Sequence, residues 1–129
     1  MTDAITTENA PAAIGPYSQA IRAGDLVFLS GQIPIDPSSG TIVSSDIVAQ
    51  TDRVMKNLAA VLAASGCRLA DVVRTTIYVV DLAHFAALNE TYGRWFESPY
   101  PARATVQVAA LPRGALVEID AVAVMPVRR

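Results

Sequence analysis

Between Asp46 and Gly66 the residues Ile47, Thr51, Val54, Leu58, Val61 and Leu62 recur at three- and four-residue spacing. That is the period of a helix with one apolar stripe. Asp46 supplies the N-cap acceptor and Gly66 the residue that ends it. Such a helix cannot stand alone, because its stripe must be laid against a sheet or another helix. The flanking sequence offers a sheet. SQAIRAGDLVFLS (Ser18 to Ser30) has two apolar-rich runs around the turn signal Gly24-Asp25 and reads as a β-hairpin. Gly31 to Gly40, with two prolines and two glycines, reads as a loop. VVRTTIYVV (Val72 to Val80) is dense in β-branched residues and reads as a buried strand. Asp81 then caps a second helix whose stripe is Phe85, Leu88, Tyr92, Trp95 and Phe96, and Ser98-Pro99-Tyr100-Pro101 stops it. PARATVQVAALPRGALVEIDA (Pro101 to Ala121) reads as two strands turning at Leu111-Pro112-Arg113-Gly114. The order β-β-α-β-α-β-β predicts one α+β domain over residues 1–129, a single sheet with two helices on one face.

The sheet's other face then has no helix to cover it. Of the 129 residues 52% are hydrophobic and 17% charged, which is apolar for a surface-rich chain of this size. No run approaches the roughly 18 apolar residues of a membrane-spanning helix, so the surplus is expected to be covered by further copies of the chain. Net charge is -2, with no basic run beyond Arg128-Arg129, which weighs against nucleic acid as the main partner. The single cysteine, Cys67, allows no intrachain disulfide, and the N-terminus lacks the basic patch and apolar core of a secretory signal. A cytoplasmic setting is the expectation. One histidine (His84) and one cysteine leave no metal-ligand spacing, and the only lysine, Lys56, lies on a helix expected to face water. There is no GxGxxG and no P-loop. Chemistry here is left to carboxylate, guanidinium, hydroxyl, amide and backbone groups, with no cofactor and no metal expected.

Two charges in the last strands stand out. Side chains alternate along a strand, which groups Arg103 with Thr105 and Gln107, and Glu118 with Asp120. If the turn pairs Ala110 with Ala115, Gln107 lies opposite Glu118 and Thr105 opposite Asp120, so Arg103 and Glu118 project from one face. They would be roughly 13 Å apart, beyond a simple ion pair. The pattern alone leaves two readings open: strand charges that pair or reach solvent, or the two ends of a site, which a neighbouring subunit could help to form.

PAR followed by an apolar strand, Leu111 and Val117-Glu118-Ile119 resembles the signature of the RidA/YjgF family of reactive-intermediate deaminases. TENAPAAIGPYSQA (Thr7 to Ala20) and LSGQIPIDPSSG (Leu29 to Gly40) resemble two further family motifs, in order and at the family's spacing. The resemblance runs from about Ile5 to Val124. It implies a chorismate-mutase-like α+β sandwich assembled as a homotrimer, with sites in the clefts between subunits. The activity implied is cofactor-independent hydrolysis of enamines and imines, such as 2-aminoacrylate and its 2-imino acid tautomer, to 2-keto acids and ammonia. By position, Arg103 matches the arginine that holds the substrate carboxylate, and Glu118 the glutamate that positions the attacking water. Tyr17, Ser30, Gly31 and Asn89 match residues lining the pocket. Thr105 stands where the family often has cysteine, so a backbone contact to the ligand is expected there but no thiol. The alternatives are a deaminase for a dedicated pathway substrate (3-aminoacrylate or 2-aminomuconate), a non-catalytic ligand-binding or chaperone-like trimer, and an endoribonuclease.

Overall fold

The computed structural model describes residues 2–127, and the Arg128-Arg129 pair lies outside them. The elements in chain order are β1 (Thr2–Ile5), β2 (Ala20–Ala23), β3 (Leu26–Gln32), β4 (Ile35–Asp36), β5 (Thr41–Ile42), α1 (Ile47–Ala64), β6 (Val72–Val79), α2 (Phe85–Gly93), β7 (Ala102–Gln107) and β8 (Val117–Val124). Six strands form one mixed sheet in the order β1-β2-β3-β8-β6-β7, and β4 and β5 make a separate two-stranded ribbon. The predicted class is observed, an α+β layer of two helices on one sheet.

Local signals account for the helices and the first hairpin. The Asp46 side chain accepts from the Ala49 amide at 2.9 Å, satisfying an N–H that the first turn of α1 leaves open. Gly66, just past the last turn, takes a φ of 84°, where a Cβ would be strained. Gly24, at φ 60°, makes the turn between β2 and β3. The stripe of α1 (Val54, Met55, Leu58, Val61, Leu62) is buried with Val27, Leu29, Ile77, Val117, Ile119 and Ala121 in one core. Each large aliphatic side chain taken out of water there contributes about 1.5–3 kcal/mol.

The second helical segment differs from expectation. Asp81 caps only a 3-10 turn, Leu82–His84, and α2 proper ends at Gly93, so Trp95 and Phe96 lie beyond it. His84 occupies the α2 N-cap position without making a side-chain cap bond. The N-terminal strand β1 carries no strong apolar alternation and is held by pairing with β2. The Gly31–Gly40 segment expected as a loop contributes the end of β3 and strand β4, which pairs with β5 just beyond it.

The largest correction concerns the last two strands, which are not a hairpin. β7 runs parallel to β6, with Thr75 beside Arg103, and β8 runs antiparallel to β6 on its other side, with Tyr78 beside Glu118. The reason is the crossover. A strand returning after helix α2 falls parallel to the strand before it. The connection from 108 to 116 then carries the chain past β6, too long for a tight turn. So Glu118 faces Tyr78 rather than Gln107, Asp120 faces Thr76 rather than Thr105, and Arg103 and Glu118 do not share a face. Arg103 stands with Thr75 and Ile77 on the helix side. Glu118 and Asp120 stand on the side without helices, among Leu26, Phe28, Val106 and Val124, which are 37–45% exposed.

Candidate functional site

Arg103 is built into position by α2. Its Nη1 donates to Asn89 Oδ1 at 2.6 Å. Its guanidinium carbon lies 5.6 Å from the Phe85 ring centroid and 5.3 Å from that of Tyr92. Phe85, Asn89 and Tyr92 are spaced i, i+4, i+7, one stripe of the helix, so a single face both stacks on the cation and orients it. Tyr92 is fixed in turn by a buried 2.7 Å hydrogen bond between its hydroxyl and Thr75 Oγ1. Burial pushes the Tyr92 phenol above its ordinary pKa, so it stays neutral. A cavity of about 500 Å³ opens over this arrangement, lined by Asn89, Tyr92, Tyr100, Pro101 and Arg103. With one nitrogen held by Asn89, the guanidinium still presents donors suited to a planar carboxylate.

Glu118 occupies a different cavity, of about 520 Å³, which it shares with Tyr17, Ser30, Gly31, Ile14 and Arg113. Its carboxyl lies so close to Gly31 that a Cβ on that residue would overlap it. Only the absence of a side chain on β3 admits the carboxyl there. Burial first, and the nearby Asp120 charge second, raise the Glu118 pKa above the ordinary glutamate range. The raised value favours the fold at low pH, and that contribution is lost as pH rises through it. A carboxylate with enhanced proton affinity beside an open cavity is suited to taking a proton from water and returning it.

The structure thus divides the expected residues between two cavities. Tyr17, Ser30, Gly31 and Glu118 line one, and Asn89 and Arg103 the other. The Ser30 hydroxyl donates to Ser18 O at 2.6 Å, so toward a ligand it offers only lone pairs. The segment 7–19 runs as a strap along the first cavity, and within it Tyr17 Oη accepts from the Ile14 amide at 3.4 Å. Thr105 lines neither cavity, and its Oγ1 is buried with no hydrogen-bond partner among the described residues. Among those residues no group of three or more His, Cys, Asp or Glu is placed to hold a metal ion.

The sequence reading passed over three buried, hydrogen-bonded amides, of which Gln19 lines the Glu118 cavity and Asn57 holds the backbone of two residues that do. Gln19 accepts from the Thr7 amide at 2.7 Å and donates to Thr7 O and Pro11 O, holding the strap. Asn57 donates to Ile33 O and Ile35 O, and Gln50 accepts from the Leu116 amide at 2.8 Å. Gln50 and Asn57 are seven residues apart within the apolar stripe of α1. Amides in that position are stable only if bonded, which was the available signal. Phe85 and Tyr92 were also missed as site residues, because an aromatic stripe at helical spacing reads as core.

A family model described as Endoribonuclease L-PSP matches residues 7–125. Protein DfrA of Myxococcus xanthus is 61% identical over 123 residues, covering 94% of each chain. The 2-iminobutanoate/2-iminopropanoate deaminase of Mus musculus is 48% identical over 120 residues, 93% of this chain and 89% of the mouse protein. The crystal structure of Escherichia coli TdcF with bound serine superposes with a TM-score of 0.91 at 41% identity, covering 95% of this chain and 98% of that one.

Proposed function

The chain belongs to the RidA/YjgF family, that of the Endoribonuclease L-PSP model, and we propose that it hydrolyses small 2-imino acids and their enamine tautomers to 2-keto acids and ammonia. The observation that carries this reading is the placement of Arg103 and Glu118 on opposite faces of the sheet, each at its own open cavity. Neither half can turn over a small molecule alone. A neighbouring copy that covers the apolar face beside Glu118 would bring its Arg103 edge strand to the Glu118 cavity, and a cyclic trimer would close three such sites. The mouse relative's name supplies the reaction class, and serine bound to TdcF shows a small amino acid suiting this fold in that relative.

In this mechanism Arg103 of one subunit grips the substrate carboxylate and fixes the imine carbon beside the neighbour's Glu118. Glu118 takes a proton from a water whose oxygen adds to that carbon and delivers it to the imine nitrogen, giving a carbinolamine. Glu118 then carries the carbinolamine hydroxyl proton to the same nitrogen, and the C–N bond breaks, releasing ammonia and leaving the 2-keto acid. Imine plus water balances keto acid plus ammonia, with no redox step and no cofactor. The setting proposed is the cytoplasm. The family model's name includes endoribonuclease, but 10 basic against 12 acidic residues, with no basic run beyond Arg128-Arg129, weigh against RNA as the main partner.

A serine dehydratase generating 2-aminoacrylate tests the proposal. Adding the protein is expected to accelerate pyruvate release in proportion to its concentration, and unchanged release would refute it.

A further inference from the structure

Behind Glu118 lies a second carboxylate to which the mechanism gives no role. Asp120 follows it on the same face of β8, roughly 6.5 Å along the strand. It is half-buried and held, because Tyr78 donates its hydroxyl to Asp120 Oδ2 at 3.0 Å. Tyr78 comes from β6, where it sits directly beside Glu118. One tyrosine therefore spans the two carboxylates, packed beside the first and bonded to the second. Burial and the hydrogen bond to Asp120 keep that phenol protonated well past neutrality, so it remains a donor wherever the enzyme works.

We propose that Asp120, anchored by Tyr78, is a positioning residue for hydrolysis: a fixed negative charge that strengthens Glu118 as the base for the attacking water. This rests on the reading of Glu118 as that base. The groups facing Glu118 are few. On its own strand there is Asp120, and on β6 there is Tyr78. From β3 come Ser30, Gly31 and Gln32, none of them charged, and Tyr17 and Arg113 also line the shared cavity. In the assembled site the neighbour's Arg103 joins them. Of these, Asp120 is the one whose charge repels an ionised Glu118. The raised proton affinity of Glu118 has that repulsion as its second cause, after burial. A stronger base gains more from each proton it removes, provided its pKa stays near or below the working pH.

The test is carboxyl-carbon NMR titration of Glu118, run beside the pH dependence of kcat/KM, on the assembled protein. Asp120→Asn keeps the size and removes the charge. It is expected to move the Glu118 midpoint, and the acid limb of kcat/KM with it, to lower pH, and to lower the plateau. Asp120→Glu keeps the charge and is expected to hold the midpoint near that of the parent. Asp120→Ser serves as a second neutral variant if Asn disturbs assembly. A Glu118 midpoint unmoved in the neutral variants overturns the proposal, as does an equal shift in Asp120→Glu. If Glu118→Gln leaves kcat/KM intact, the base assignment fails instead, and the titration still reports whether Asp120 acts on Glu118.

Discussion

Replacing Arg103 by alanine is expected to lower kcat/KM on a 2-imino acid about a hundred- to a thousand-fold while leaving the fold intact. The magnitude follows from what is removed. Truncating one partner of a desolvated, hydrogen-bonded charge pair costs about 2–5 kcal/mol, and each 1.4 kcal/mol is tenfold. The fold is spared because Arg103 is an exposed residue on edge strand β7, stacked on α2 rather than sealed in the core. Lysine is expected to restore only part of the loss. It brings the charge but not the planar fork, and it cannot lie flat between the Phe85 and Tyr92 rings while bonding Asn89. Steady-state kinetics on the three proteins, with a thermal melt as control, checks both statements.

Gly31→Ala is expected to lower kcat by up to about a hundred-fold with little change in Tm. The Gly31 backbone does not adopt the left-handed conformation that disfavours other residues. An alanine is therefore tolerated by the chain backbone, and the atoms nearest its added methyl are those of the Glu118 side chain, the carboxyl foremost. That carboxyl must give way, and a displacement of about 1 Å at a reacting group can cost about 100-fold. Glu118→Gln sets the scale, since it removes the base without moving it. Substrate affinity, governed by Arg103 in the other cavity, is expected to change far less than kcat in both variants. A loss confined to KM would contradict the assignment of Glu118 to the chemical step.

These expectations show which parts of the molecule were legible in the sequence. The caps Asp46 and Gly66, the turn at Gly24 and the β-branched run of β6 are local signals, and local physics decided each of them. Sheet order is not local. Nothing in the residues of β7 and β8 distinguishes pairing with each other from pairing on either side of β6. The register taken from a presumed turn therefore put Arg103 and Glu118 on one face. The correction matters for the proposed chemistry, because with the two residues on opposite faces that proposal takes two subunits per site, whereas a shared face would have allowed one. Gly31 was legible as a motif residue but not as the neighbour of Glu118, since the two are brought together only by the β3–β8 pairing. The aromatic cradle of Arg103 was hidden for a different reason. Phe85 and Tyr92 carry the signature of core residues, and only their tertiary neighbour reveals a second use.

The central claim is that one subunit's Arg103 works with another's Glu118, and subunit mixing tests it most directly. Arg103→Ala and Glu118→Gln proteins, each inactive alone, are unfolded together, refolded at equal concentration and assayed for imine hydrolysis. A site is whole when its arginine comes from a Glu118→Gln chain and its glutamate from an Arg103→Ala chain. In randomly assembled trimers this holds for about a quarter of sites. Recovery of about a quarter of the parent activity is the predicted result. No recovery in verified mixed trimers would place both residues of each site in one chain and contradict the account.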